Sequence, residues 1–237
     1  MQTLEDLYVY DILTEDQPDL IEKAAACLAS TFIGVDVAGN WVQEPIIGYA
    51  LQLPYEDFYQ FTKEYIESIA HQGYCAVALD SERNVVGALV GDTKALEIIE
   101  DDIFEGTFAD MNVVMRVLAD IDTRFLDDYK KRYGKDPEDG EVLHLFLLGV
   151  IAEYDRHDIV QRLGDLLIKK ATEEGVRLVL GEATNPKSIR LMEKFHGLTK
   201  YKDVEGNFIV HTYENNERLS NIPSTVADGI YIIVREL

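Results

Sequence analysis

A short loop at positions 154–160 leads directly from an apolar segment into a helix-forming segment. The start of a helix presents backbone N–H groups without helical partners, together with the positive end of the helix dipole, so it favours a bound anion. Arg156 and His157 add positive charge at this point, whereas Asp155 and Asp158 oppose it. The loop therefore points to a ligand that carries phosphate.

Two side chains elsewhere in the chain are candidates for a general base. Glu44 precedes Pro45 in an irregular segment, and His144 lies within an apolar run. A carboxylate or an imidazole, helped by a chain of water molecules, can take a proton from an amine. Each also has a structural interpretation, as a solvated turn residue for Glu44 and a satisfied core histidine for His144. Trp41 and Tyr49 flank Glu44, either as an aromatic wall for an amine or as anchors of the loop.

The charge of the chain limits its partners. Its 237 residues include 22 Lys and Arg and 44 Asp and Glu, which gives a net charge of -22. This acidity disfavours nucleic acids and anionic membranes as partners and favours cationic substrates such as amines or basic peptides. Solubility or a high-salt environment is an equally weighted explanation, because net charge bears on association rather than on fold.

Cysteine usage and apolar runs indicate a cytoplasmic protein. Cys27 and Cys75 are the only two cysteines, and we expect them to be buried free thiols. Together with the five scattered histidines they do not form a metal-binding spacing, so no metal is expected. The first cation is Lys23, which argues against a secretion signal. The apolar run at 145–152 is too short to cross a bilayer.

The elements that must position these residues follow from hydrophobic periodicity and from start and stop signals. Asp16 is predicted to cap the first helix. Asn185 is predicted to cap the last helix, which has Pro186 at its first position and ends at Gly197. The segment 33–53 is irregular. Further helices are predicted at 56–72, 109–133 and 159–173, and strands at 7–13, 74–79, 85–90, 142–151, 177–180, 198–203, 208–213 and 230–234. The order predicts a mixed α/β sheet covered by helices, without a linker that divides the chain.

This order of elements resembles that of the Gcn5-related N-acetyltransferases, over nearly the whole chain and most densely at 143–204. The resemblance implies one domain over 1–237, with a mostly antiparallel sheet, helices on both faces and a helical insert at 92–140. In that family, the strand corresponding to 145–150 splays from the next strand, and the gap holds the acyl group of coenzyme A. The implied acetyl-CoA contacts are Leu148, Gly149, Val150, Arg156, His157, Asp158, Ile159, Val160, Asn185 and Ser188.

Two further details favour the arylalkylamine N-acetyltransferase branch: the long insert at 92–140 between the third and fourth strands, and the set of candidate bases. The Glu44-Pro45 pair is similar to the pair whose glutamate is the general base in insect members, and His144 is similar to a strand histidine of vertebrate members. The resemblance implies that Asn185 binds the pantetheine arm and that Ser188 faces the thiol. The implied catalytic residues are therefore Glu44, His144 and Ser188.

The chain departs from the family pattern at positions that touch the cofactor. Asp155 replaces the usual Arg or Gln, Asp158 and Val160 replace glycines that let the backbone approach phosphate, and Met192 replaces the tyrosine that often protonates the leaving thiolate. Ser188, Tyr201 or water would then serve as the acid. A shifted alignment over 161–164 keeps one Gln and one Gly, but within the helix.

Three hypotheses follow. The first is direct transfer of an acetyl group from acetyl-CoA to a primary amine, expected to be a small cationic molecule. The second is an inactive protein of the same fold that binds a ligand or partner. The third is an acyltransferase that uses another donor, such as an acylated carrier or a longer acyl-CoA. Because family members are often dimers, a homodimer is one expected assembly.

Overall fold

The computed structural model describes residues 7–99, 101–151 and 156–237, except for the side chains of residues 156 and 157. The helices are α1 (Pro18–Ile33), α2 (Tyr55–Ile69), α3 (Met111–Tyr133), α4 (Arg156–Glu173) and α5 (Pro186–His196). The strands are β1 (Val9–Ile12), β2 (Val35–Val37), β3 (Asn40–Val42), β4 (Cys75–Leu79), β5 (Val85–Asp92), β6 (Val142–Val150), β7 (Leu178–Ala183), β8 (Thr199–Lys200), β9 (Val210–Thr212) and β10 (Gly229–Glu236).

Eight strands form one sheet in the order β1-β4-β5-β6-β7-β10-β8, with β9 also paired to β10. Among the pairs of neighbouring strands in this sheet, β6 and β7 run parallel to each other, and every other pair is antiparallel. This arrangement confirms the predicted mixed, mostly antiparallel sheet. The short strands β2 and β3 form a separate hairpin within the segment expected to be irregular.

Strands β6 and β7 are paired over only a short part of their length. Its register runs over three residue pairs, from Val142 with Leu178 to His144 with Leu180. Beyond these pairs the strands diverge, and a cleft opens between residues 145–150 and residues 181–188. The splay implied by the family resemblance is therefore present in the structure.

Helices cover both faces of the sheet and form two hydrophobic clusters. On one face, residues of α1, α2 and α3, such as Leu28, Phe58 and Phe125, pack in one buried cluster. On the other face, residues of α4 and α5, such as Leu163 and Met192, form the second. Within the described part of the chain, no helix is both long and apolar enough to cross a membrane.

Several predicted helix ends are confirmed, and one predicted start is wrong. Gly134 and Gly197 end α3 and α5, and Gly73 ends the 3-10 turn Ala70–Gln72 that follows α2, all in the left-handed conformation that glycine adopts without strain. At α1 the cap position is Gln17 rather than Asp16. The Asp16 carboxylate instead accepts a hydrogen bond from the Thr14 hydroxyl, so it stabilises the preceding turn.

The segment 92–140 lies beside the cleft that opens at the splay. Met111, Val114 and Leu118 of α3 are among the residues that line it. Phe104, just before α3, packs edge-on against Phe61 of α2 at a centroid distance of 5.9 Å. The described part of this segment therefore contributes one wall of the cleft.

Candidate active site

The cleft between the diverging strands has a volume of about 1200 Å³. It brings together residues that are far apart in sequence, from the loop before α2, from β6 and from the start of α5. Of the residues predicted for the site, those that line it are Glu44, Leu148, Gly149, Val150, Val160, Asn185 and Ser188.

Glu44 is held at the start of a π-helical turn, Pro45–Ala50. Its Oε2 atom accepts hydrogen bonds from the backbone N–H groups of Ile46 at 2.8 Å and Ile47 at 2.5 Å. Its Oε1 atom is buried and has no hydrogen-bond partner of standard geometry among the described residues. Because Glu44 is only 6% exposed, its interpretation as a solvated turn residue is wrong.

Burial raises the pKa of Glu44 to about 7, against the smaller lowering effects of the Ile47 N–H, the Thr184 hydroxyl and the Ile46 N–H. A carboxylate with a pKa near 7 is poised to accept a proton at neutral pH. The oxygen that caps the turn is fixed by the backbone, which leaves the other oxygen for a ligand. The geometry and the pKa both fit a general base.

The backbone of β6 presents a hydrogen-bond donor to the cleft. The Ile151 N–H donates to the Val86 carbonyl at 2.9 Å across the antiparallel pair β5 and β6. Backbone groups alternate in direction along such a strand, so the Leu148 N–H points away from β5 and into the gap. A donor at this position can stabilise negative charge on a carbonyl oxygen.

Gly149 lets helix α1 lie directly against β6. A Cβ atom at this position would overlap the Thr31 hydroxyl and approach Leu28 at 3.2 Å. The absence of a side chain is therefore explained by packing between α1 and the sheet.

Asn185 and Ser188 lie at the start of α5. The Asn185 side-chain oxygen accepts hydrogen bonds from the N–H groups of Lys187 and Ser188, both at 3.0 Å, which confirms the predicted cap. Ser188 is half-buried and lines the cleft, as does the buried Met192 one turn later. Ser188 is therefore placed where its hydroxyl can reach a ligand.

No protein-family model matches the chain, and no curated protein sequence matches it. Several solved structures are similar to the chain over nearly its full length. A mosquito arylalkylamine N-acetyltransferase like 5b is 19% identical with a TM-score of 0.63, over 97% of this chain and 100% of the other. A Drosophila melanogaster polyamine N-acetyltransferase is 17% identical with a TM-score of 0.63, over the same shares. Arylalkylamine N-acetyltransferase 2 from Aedes aegypti is 12% identical with a TM-score of 0.67, over 97% and 98%.

The chain has the Gcn5-related N-acetyltransferase fold. The match extends over nearly the full length of both chains and includes structures named as arylalkylamine and polyamine N-acetyltransferases. It shows the fold alone at these identities, and the chemistry must be argued from the site.

His144 lies outside the set of residues that line the cleft of this Gcn5-related fold. Its Nε2 atom is 2.7 Å from Oε2 of Glu182, which is itself a cleft residue with a side chain only 3% exposed. Burial alone would lower the pKa of His144, but the Glu182 carboxylate, followed by Asp122 and Asp92, raises it to about 9. The structure therefore favours a charged, paired core histidine over a free base.

Asp122 of α3 completes this buried group. Burial first, and then the charge of Glu182, raise the pKa of Asp122 to about 8. The Asp122 Oδ1 and Glu182 Oε1 atoms are both buried without a conventional partner among the described residues. A proton on Asp122 lets it donate to Glu182, which satisfies both oxygens at once. Asp122, Glu182 and His144 are therefore one proton-holding triad behind the cleft.

Several predicted residues are outside the set of side chains that line the cleft. Asp158 lies at the start of α4, and the side chain of Ile159 is fully buried in the core. Tyr201, an alternative acid, donates instead to Asp128 at 2.7 Å. Tyr49 is also outside the lining, whereas Trp41 lines the cleft and is 64% exposed.

The loop predicted to bind phosphate is only partly described. Asp155 and the side chains of Arg156 and His157 lie outside the described residues. Gly164, the glycine of the shifted alignment, faces the His196 ring, where a Cβ would overlap it. That glycine therefore serves the contact between α4 and α5 rather than a ligand.

Sequence reasoning missed Glu182 and Asp122. Glu182 carried a signal, since an acid within the apolar strand Leu178–Ala183 is unusual unless it is paired. Asp122 carried none that distinguished it from its acidic neighbours, because its partner is sixty residues away in the chain. The cations of α5 that line the cleft, Lys187, Arg190 and Lys194, were also missed as a group.

Proposed function

We propose that the protein is an acyl-CoA-dependent N-acyltransferase that transfers an acetyl group from acetyl-CoA directly to a primary amine. The observation that carries this proposal is Glu44, a buried carboxylate with a pKa of about 7 in the cleft between the splayed strands, whose Oε1 atom has no partner of standard geometry among the described residues. Structural neighbours named as N-acetyltransferases of amines support it.

In the proposed reaction, three groups of the cleft each have a task. Glu44 takes a proton from the amine, which makes its nitrogen a nucleophile toward the thioester carbonyl. The Leu148 N–H stabilises the charge that develops on the carbonyl oxygen. Ser188, or water beside it, relays the second proton of the amine nitrogen to the departing thiolate and so regains its own proton, because Met192 has no proton to give.

The cysteines argue against a covalent acyl-enzyme. Burial raises the pKa of the Cys27 thiol to about 12, and it raises that of Cys75 to about 12 as well. A thiol attacks as its thiolate, and neither of these thiols ionises near neutral pH. Direct transfer between the two bound substrates is therefore the consistent route. The two free thiols also fit a reducing compartment, so a cytoplasmic location remains our proposal.

The acceptor end of the cleft suits a cationic amine with an apolar body. Apolar side chains form its walls, among them Phe61, Phe146, Met111, Val114 and Leu118. Thr184, which is close enough to Glu44 to lower its pKa, directly follows β7 and lies two residues after Glu182. The Glu44 carboxyl group at this end can take a proton from a cationic acceptor, whereas the charge of Glu182 is already paired with His144.

An inactive, ligand-binding protein of the same fold is the second candidate. The observation that favours it is Met192, a buried cleft residue without an acidic proton. This second candidate would bind a ligand in the same cleft as the first candidate but would not catalyse acyl transfer.

Thermal unfolding with acetyl-CoA, followed by an assay of coenzyme A release with a panel of amines, tests the proposal. A ligand at about 100 times its Kd adds about 2.7 kcal/mol, which raises the Tm of a chain this size by several degrees. A shift with turnover of cationic amines is the expected result. A shift without turnover of any amine would favour the binding protein, and no shift at millimolar acetyl-CoA would overturn acyl-CoA as the ligand.

A further inference from the structure

Three cations lie along one side of helix α5 and line the cleft. Lys187, Arg190 and Lys194 are spaced by three and four residues, which places them on one face of a helix. All three side chains are exposed to solvent. They form a basic stripe that runs along α5 from its first turn.

The basic stripe is unusual because the chain has a net charge of -22. Within the described part of the chain, none of its three members forms an ion pair with a carboxylate. Lys194 also lies over the Phe195 ring, with 4.7 Å from its Nζ atom to the ring centroid. The positive charge of the stripe is therefore not neutralised by a described acid.

Charge is separated along the cleft. Its acidic lining residues, Glu44 and Glu182, are buried beside the apolar walls, whereas its cationic residues are the exposed members of the basic stripe. A ligand that fits this cleft is therefore anionic at its outer, solvent-facing end.

The start of α4 is poorly suited to hold that anionic end by its backbone alone. Val160, which lines the cleft, is a branched residue, and the exposed Asp158 brings a negative charge near the same helix start. Glycine would allow the closest approach of a phosphate to the backbone, and neither position has it. Side-chain cations are the other means by which proteins bind phosphate.

We propose that Lys187, Arg190 and Lys194 form a phosphate clamp for the diphosphate and 3′-phosphate groups of the acyl-CoA, in place of a glycine-based cradle. This inference rests on the proposed function of the cleft. It assigns the phosphate contacts to α5 and leaves the thioester end to β6.

Isothermal titration calorimetry with coenzyme A, dephospho-coenzyme A and S-acetylpantetheine tests the clamp. The test variant carries Lys187→Gln, Arg190→Gln and Lys194→Gln. The control variant carries Lys131→Gln, Lys169→Gln and Lys202→Gln, which remove the same charge at exposed positions outside the cleft.

The test variant is expected to bind coenzyme A roughly 30-fold to 100-fold more weakly, since each partly exposed charge-assisted contact is worth roughly 3-fold to 5-fold. Its affinity should also depend less on salt than that of the wild type. The control variant should bind like the wild type, and S-acetylpantetheine, which has no phosphate, should bind all three proteins alike. The difference in affinity between coenzyme A and its dephospho form should shrink in the test variant.

The possible failures are distinguishable. If the wild type binds coenzyme A and the test variant binds it equally well, the clamp is wrong and the proposed function stands. If both variants weaken coenzyme A equally, net charge rather than the clamp is responsible, and the inference is overturned. If the wild type binds neither coenzyme A nor S-acetylpantetheine, the proposed function itself fails.

Discussion

At the scale of single residues, Glu44 combines a structural and a chemical task. One of its carboxylate oxygens caps the turn Pro45–Ala50, and the other is buried without a described partner. A cap fixes the side chain in one orientation, which is what a general base requires. The sequence offered the Glu-Pro pair, but it could not show that the pair is buried.

Replacing Glu44 by glutamine separates these tasks. The amide oxygen can still cap the turn, whereas the side chain can no longer accept a proton, so we expect turnover to fall by about 100-fold or more with near-normal stability. The measurement is coenzyme A release across pH 5 to 9. Wild-type turnover should rise through a pKa near 7, and this rise should be absent from the variant. Unchanged turnover at every pH would remove Glu44 from the mechanism.

The triad of Asp122, Glu182 and His144 predicts how stability depends on pH. The folded-state pKa values of Asp122 and His144, about 8 and about 9, lie above the values of 3.8 and 6.5 that each group has without the fold. The folded protein therefore holds more protons in these ranges, and its free energy of unfolding falls as pH rises. The loss spans about pH 4 to 8 for Asp122 and about pH 6.5 to 9 for His144.

Urea unfolding at pH 6 and pH 9 measures this effect. The wild type should be less stable at pH 9, and the Asp122→Asn variant should lose less stability between the two pH values, because its amide keeps a donor for Glu182 without titrating. The contribution of Glu44 is common to both proteins and cancels in the comparison. Equal pH dependence in the two proteins would contradict the shared proton.

At the scale of elements, close packing of α1 against β6 positions the donor strand. Gly149→Ala would push a Cβ atom into the Thr31 hydroxyl, and we expect a loss of about 1 to 3 kcal/mol in the free energy of unfolding. Denaturant unfolding measures the loss. The double variant with Thr31→Ala should recover part of it, since the overlapping hydroxyl is gone. An alanine variant as stable as the wild type would mean that α1 does not rest on this strand.

Local signals account for the elements that the sequence predicted well. Helix α5 has its cap at Asn185, a proline at its first position and a terminal glycine at Gly197, and all three act within a few residues. The turn after Glu44 also begins with a capping side chain and a proline, but its burial depends on packing against α1 and α3, of which α3 lies far from it in the chain. The triad could not be predicted from the sequence either, because burial of Asp122 against Glu182 depends on how α3 packs on the sheet.

At the scale of the whole molecule, the acidic surface should draw cations toward the cleft. A net charge of -22 steers a positively charged amine and accelerates its encounter with the protein at low ionic strength. We expect kcat/KM for a cationic amine to fall several-fold between about 0.02 and 0.3 M salt. An aromatic amine that is neutral at pH 7 is the control, measured at saturating acetyl-CoA. Equal salt dependence for both acceptors would show that steering plays no part.

The divergence of β6 and β7 leaves two interior strands with the character of sheet edges. Backbone groups of β6, such as the Leu148 N–H, face a gap rather than a neighbouring strand. Sheet edges pair readily with any extended chain that offers amide groups. A ligand with an extended amide-bearing arm would therefore enter as a missing strand, and amide hydrogen exchange along β6 should slow when it does.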